Sequence, residues 1–195
     1  MMAAAADAAL VDRLRRGERT AFRELYARFA PASFGFLLRL CGRRDVAEDL
    51  HQDVWLAIAR HAARLDAETD LAAWIFTVAR NRFVSSRRRA DVAVPASDPL
   101  DVDLGAAVPV STEDPACRDL ERALASLPDV HREVLLLVGV EGLEVAQAAA
   151  VLSIRPDAAR QRLARARAAL TEALRDAGSA LERSPATVTA RKARS

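Results

Sequence analysis

Apolar side chains return every three or four positions through most of this chain, the period of a helix with one buried face. The pattern predicts helices near residues 7–17, 20–41, 46–62, 71–88, 116–126, 129–140, 143–152 and 156–176. In "DVAEDLHQDVWLAIARH" the inner stripe is Ala47, Leu50, Val54, Ala57, Ile58 and His61. In "DLAAWIFTVARNRFVSSRRR" it is Leu71, Trp74, Ile75, Val78 and Ser85, and near the C-terminal end it is Ala159, Leu163, Ala166 and Leu170. Alanine, leucine, arginine and glutamate favour helix, and the β-branched and aromatic runs of a sheet are thin. The expected class is all-α, with two small helical domains.

Several boundaries have a mechanism. Asp45, followed by Glu48, resembles a capping box, and Asp70 is placed to cap the next helix. Pro128 and Pro156 suit a first helical turn, where the missing N–H costs nothing. Gly142 separates two helices, and "LSIRP" breaks another pair. The stretch "ADVAVPASDPLDVDLGAAVPVSTEDPA" is rich in proline and has no sustained period, which predicts a flexible linker over 91–115. Modules over 7–90 and 116–176 flank it, and 177–195 is expected to be a disordered tail.

Some positions do not fit the core stripes. Trp55 points away from its stripe, among Glu48, Gln52 and Ala59, with Asp49, Asp53 and Leu56 alongside. An aromatic ringed by acids and an amide has the make-up of an interface centre with a polar rim; the alternative is that Trp55 tucks under a neighbouring helix. Glu48 and His51 form an E-x-x-H unit of the kind found in two-metal bundles, but such a site needs a second unit that the chain lacks. On the following helix Phe76, Arg80, Phe83 and Arg87 share the outer face, and Arg87, Arg88 and Arg89 extend it. Aromatics alternating with arginines suit phosphate tracking with base stacking. The pair of helices over 143–176 reads as a helix-turn-helix. Ala158, Gln161, Arg162 and Arg165 face outward near the start of its second helix, and Arg155 and Arg160 add charge there.

Charge sharpens this division. Net charge is +5 over residues 1–90, −6 over 91–115 and +3 over 116–195, for the overall +2. Two basic modules joined by an acidic strap point to a polyanionic partner. No apolar run reaches the ~20 residues of a membrane span, and residues 1–9 lack the form of a signal peptide. Cys41 and Cys117 read as reduced thiols, consistent with a cytoplasmic protein. His51, His61 and His131 show no metal-ligand spacing and no glycine-rich phosphate loop occurs, so neither cofactor nor catalytic role is expected.

In order, these pieces resemble an extracytoplasmic-function sigma factor of the sigma-70 family. "TAFRELYARFAPASFGFLLRLCGRRDVAEDLHQDVWLAIARH", with its A-E-D-L-x-Q segment, is similar to the first part of sigma region 2, and "LAAWIFTVARNRFVSSRRR" to its continuation. "LERALASLPDVHREVLLLVGVEGLEVAQAAAVLSIRPDAARQRLARARAAL" resembles region 4. The resemblance implies that Asp49, Gln52, Asp53 and Trp55, with Leu56 and Ala59 at the edge, meet the clamp helices of the polymerase β′ subunit. It implies that Arg80, Asn81 and Val84, extended by Phe83, Arg87 and Arg88, lie along the −10 element, and that the loop Ala63–Thr69 holds a flipped base. Arg155, Ala158, Arg160, Gln161, Arg162 and Arg165 would meet the −35 element. Implied partners are core RNA polymerase (β′ clamp helices and β flap), promoter DNA and, as for many relatives, an anti-sigma factor; no membrane is involved, and the free chain is expected to be monomeric. Ser85, "DAARQRL", Ala148–Ala150 and Asp157 depart from the usual pattern and bear on −35 preference. The alternative is a helix-turn-helix regulator or adaptor that binds DNA without entering the polymerase, normally as a dimer.

Overall fold

The computed structural model describes residues 2–93 and 115–183. Eight α-helices account for most of them: α1 (Met2–Arg15), α2 (Arg19–Cys41), α3 (Arg44–His61), α4 (Leu71–Ala93), α5 (Pro115–Ser126), α6 (Asp129–Leu135), α7 (Val145–Leu152) and α8 (Pro156–Arg183). A short 3-10 turn, Ala62–Arg64, follows α3, and α6 runs on into a π-helical stretch, Leu136–Val140. The all-α expectation holds among the described residues. Most of the proposed linker lies outside them, as do tail residues 184–195. Residues 177–183, expected to be disordered, continue α8.

The first module is built on α2, whose residues Leu25, Phe36, Leu37 and Leu40 meet Ala47, Leu50, Val54 and Ile58 of α3 and Leu71, Ile75 and Ala79 of α4 in one buried core. Leu10, Val11 and Leu14 of α1 close it. In the second module Leu124, Val134, Leu136, Leu137, Val151, Leu152, Leu163 and Ala166 form the core. These two sets belong to a single continuous apolar cluster, so the modules are packed against each other. Contacts run between α4 and α7 and between α2 and both α5 and α6.

The expected boundaries were met by different means. The Asp70 carboxylate accepts from the Ala73 N–H at 3.0 Å, capping α4 as foreseen. Asp45 does not form a capping box: the N-cap is Arg43, Asp45 pairs with Arg43, and Glu48 pairs with Arg44 at 2.8 Å. Both carboxylates are engaged by arginines at the start of the helix instead. Pro128 is an N-cap rather than a first-turn residue, whereas Pro156 does open α8. Gly142 has φ +70°, a left-handed turn that a side chain would strain.

Arg132 is the unexpected structural residue. Its buried guanidinium donates to the carbonyls of Leu124 (3.0 Å), Ala125 (2.6 Å) and Leu127 (2.8 Å). A fourth bond, at 3.3 Å, reaches the Leu40 carbonyl at the end of α2. The last carbonyls of a helix have no partner within it, and a cation there also meets the negative end of the dipole. One planar fork thus closes α5 and joins it to α2. Arg132→Ala leaves these acceptors without their donor and is expected to cost about 2–3 kcal/mol in urea unfolding; Arg132→Lys, with a single point of donation, recovers only part.

Candidate nucleic-acid and partner interfaces

The helix α3 carries the first site. Its predicted stripe is buried except for His61, which is exposed. Asp49, Gln52, Asp53, Leu56 and Ala59 are exposed along the opposite side, as expected. Trp55 is the correction: only 6 % of it is exposed. Its ring stands edge-on to Tyr26 at 4.7 Å and to Phe22 at 6.0 Å between centroids, so α2 covers the face that the winding of α3 alone left open. The indole N–H points at His51 Nε2, 2.9 Å away. That nitrogen also lies 3.1 Å from the Ala30 carbonyl. The tautomer protonated on Nδ1 accepts the indole proton at Nε2, and the one protonated on Nε2 donates to Ala30; burial lowers the His51 pKa, against a smaller opposing effect of the Ala30 carbonyl, and so favours the neutral ring.

Above this buried pair lies a shallow hollow of about 400 Å³, lined by Phe22, Tyr26, Phe34, Trp55 and Leu56 with Glu48 and Gln52 on its rim. Leu56 (48 % exposed) and Tyr26 (45 %) are large apolar side chains left in water. Tyr26 and Phe34 come from α2 and were missed in the sequence reading; nothing in the local period of α2 marks where it meets α3. Glu48 and His51 form no metal site: Glu48 is held by Arg44 and His51 by Trp55. Among the described residues no cluster of histidine, cysteine or acid side chains could hold a metal.

The second site is α4. Phe76 and Phe83, expected on the open face, are both buried, while the expected inner residue Ser85 is exposed. Phe76 packs edge-on against Phe36 of α2 with centroids 5.3 Å apart. The stripe actually buried is Leu71, Ile75, Phe76, Ala79 and Phe83. The helix is packed on two sides, by α2 and α3 and by α7, and a one-stripe reading cannot anticipate the second. Asn81, Arg87 and Arg88 remain exposed, and Val84 is half-buried. Arg80 is drawn inward: its Nε donates to the Glu133 carboxylate of α6 at 2.9 Å. Arg87 approaches Asp129 at 3.4 Å. The Ala63–Thr69 loop borders a cleft of about 660 Å³ whose far wall is Glu141–Glu144 and Gln147, and Gln147 donates to the Asp70 carboxylate.

The third site is the helix pair α7 and α8. Gln147 accepts from the Glu144 N–H at 2.7 Å at the start of α7. Ser153 takes a left-handed conformation at its end, which makes the tight turn into α8. Ala159, Leu163 and Ala166 are buried, so Arg155, Ala158, Arg160, Gln161 and Arg165 face outward, with Arg162 half-buried. Val130 and His131 of α6 join Ala158, Gln161, Arg162 and Arg165 around a groove of about 310 Å³. Asp157, which on its own would repel phosphate, is paired with Arg160.

Two groups titrate unusually. Burial pushes the Cys41 thiol up to about 11, so it is neutral and unreactive at physiological pH. Burial raises the Glu141 carboxyl from 4.5 to about 7, against a smaller opposing effect from Arg39. The folded chain therefore holds this proton where the unfolded chain has lost it. Stability is full below the unfolded pKa and falls as pH rises through about 7. After solvent screening the loss is about 1–2 kcal/mol, or ~2–4 °C in Tm for each kcal/mol. His51 acts with the opposite sign, since protonating it at acid pH opposes folding. Melting wild type and Glu141→Gln side by side from pH 5 to 8 isolates the first effect: wild type should decline relative to the variant.

Residues 25–92 match the family described as Sigma-70 region 2, and residues 117–170 the family Sigma-70, region 4. The chain is 34% identical to the RNA polymerase sigma factor CarQ of Myxococcus xanthus, over 84% of this chain and 95% of that one. It is 32% identical to the ECF RNA polymerase sigma factor SigL of Mycobacterium tuberculosis, over 90% of this chain and 95% of that one. Among solved structures, the sigma factor RpoE in complex with the anti-sigma factor NepR from Bartonella quintana superposes with a TM-score of 0.72 at 30% identity, covering 79% of this chain and 96% of that one. CnrH, in complex with the cytosolic domain of CnrY, shares the fold with a TM-score of 0.67 at 24% identity, covering 88% of this chain and 98% of that one.

Proposed function

The chain belongs to the extracytoplasmic-function sigma factors of the sigma-70 family and is an RNA polymerase sigma factor; from that premise we propose how its surfaces divide the work. The α3 face of Asp49, Gln52, Asp53, Leu56 and Ala59 docks on the β′ clamp helices of core polymerase. Trp55 serves as the floor of that face, not as its exposed centre. The observation that carries this is the apolar hollow around Leu56 and Tyr26, rimmed by Glu48 and Gln52: an apolar centre within a polar rim.

On α4, Arg80, Asn81, Val84, Arg87 and Arg88 lie along the −10 element, with Phe83 as a buried support and the Ala63–Thr69 loop receiving a flipped base. Extrusion costs a few kcal/mol, which stacking and a fitted pocket offset. The exposed edge of α8, from Arg155 to Arg165, enters the major groove at the −35 element, where arginine suits guanine and glutamine suits adenine. The second module also meets the β flap, and an anti-sigma factor holds the chain in reserve. The protein itself makes and breaks no bond; it acts as a monomer on the cytoplasmic polymerase.

The test is reconstitution. Purified protein mixed with bacterial core polymerase should co-elute with it and direct run-off transcription from a subset of promoters selected from a randomised library. Specific operator binding by the free protein, with no association with core polymerase, would instead support a regulator that works outside the enzyme.

A further inference from the structure

Beside the outward edge of α8 runs the groove of about 310 Å³ between that helix and α6, lined by Val130, His131, Ala158, Gln161, Arg162 and Arg165. Packing leaves two of these side chains unaccounted for. The Nδ1 of His131 is buried without a hydrogen-bond partner, the one such side-chain atom among the described residues. The ring as a whole is half-buried, so Nε2 is the nitrogen it presents to the groove. Arg162 is half-buried too, yet it has no ion pair among the described residues.

Polar groups withdrawn from water ordinarily find partners, and a cation finds an anion. Here no acid lines the groove. The nearest carboxylates along the chain are engaged elsewhere. Asp129 lies 3.4 Å from Arg87 and 3.6 Å from Arg132, and Asp157 is held by Arg160. Arg165, exposed, reaches only the Gln161 amide oxygen, at 3.5 Å. The groove thus gathers an imidazole and two guanidinium groups around a space that holds no internal anion.

We propose that His131, Arg162 and Arg165 form a clamp for one phosphate of the DNA backbone beside the −35 element. This rests on the reading of α8 as the −35 helix, and it adds α6 to the DNA-binding surface. A helix seated in the major groove is flanked by phosphates, and contacts to them fix its register without reading sequence. A phosphate oxygen in the groove accepts from the His131 Nε2–H, while Arg162 and Arg165 supply charge and further donors. With Nε2 as donor, Nδ1 keeps a lone pair inside the protein that nothing satisfies. Such a group lowers stability relative to an apolar ring of like shape. A residue present only for packing would serve better as carbon. His131 instead trades stability for a donor aimed at the groove. Losing the clamp weakens binding to all sequences alike, whereas losing the base-reading Gln161 changes which sequence is preferred.

Fluorescence anisotropy of the full chain with a fluorescein-labelled duplex of random sequence, from about 50 to about 200 mM salt, tests this. Arg162→Gln should weaken binding about 10-fold at the lower salt and reduce the slope of log affinity against log salt by about 1. His131→Phe should weaken binding about 5-fold yet raise the urea midpoint, because it removes the donor and the unsatisfied nitrogen together. His131→Gln, which keeps a donor near the Nε2 position, should recover most of the lost affinity. Duplexes selected from a random pool by His131→Phe should share the sequence preference of those selected by wild type. Binding by His131→Phe equal to that of wild type overturns the clamp, as does an absence of wild-type binding at the lower salt. A loss of affinity accompanied by a lowered urea midpoint, with no recovery in His131→Gln, makes the ring a structural part of α6 and overturns it too. A changed sequence preference makes His131 a base contact, which equally rules out the phosphate role. Run-off transcription with core polymerase tests the sigma reading separately: its failure, with these binding results intact, leaves the clamp in place on a DNA-binding regulator.

Discussion

Trp55→Ala should destabilise the first module by about 3–5 kcal/mol, the usual cost of emptying a buried aromatic site. The ring fills the space between α2 and α3, edge-on to Phe22 and Tyr26, and its N–H is received by His51. Removing it leaves a cavity and takes the indole donor from His51. A shift in the urea midpoint, followed by helical circular dichroism, measures the effect. Trp55→Asp should be worse, because it places an unpaired carboxylate in the same apolar space. Polymerase binding would be lost in either variant, but as a consequence of unfolding. A change of less than 1 kcal/mol on Trp55→Ala would show that the residue is not part of the core.

Leu56→Asp should do the reverse. Leu56 is nearly half exposed, so its replacement changes stability little. Yet it lines the apolar hollow proposed to dock on polymerase, and truncation or charge within such an interface commonly costs about 2 kcal/mol or more. Core-polymerase affinity should fall by ~30-fold or more, with run-off transcription falling in step and the urea midpoint unmoved. Unimpaired transcription by this variant would remove the hollow from the polymerase interface. The two neighbours thus separate folding from docking: one residue disables the chain through its core, the next through its surface.

Much of the chain was legible before folding. Most helix boundaries lay within two residues of expectation because the periods are clean and the breakers, Asp70, Gly142 and the Ser153 turn, act locally; α1 starts five residues earlier, and α4 and α8 run five and seven residues further, than expected. The outward edge of α8 was read correctly except at half-buried Arg162: that helix buries the narrow stripe Ala159, Leu163 and Ala166 and leaves Ala158, Gln161 and Arg165 exposed. Where several helices converge, the reading failed. Trp55, Phe76 and Phe83 each lie off the stripe expected of their own helix and each is buried, the first two against aromatic side chains of α2 that the sequence does not announce. Arg80 looked free because Glu133 is far away in sequence; only packing brings them together.

By itself, then, the sequence determined what is local or additive: the helical class, the modular order, the charge layout and the motifs that mark a sigma factor. Each depends on neighbours three or four residues away, or on composition. The tertiary structure alone decided which aromatic residues are core, which arginines face water and which carboxylates they meet. Those outcomes depend on how helices distant in sequence share a face. Burying a second side of α3 and α4 turns apparent contact residues into support, and docking the modules makes Arg80, which the sequence left on an open face, one half of an internal ion pair.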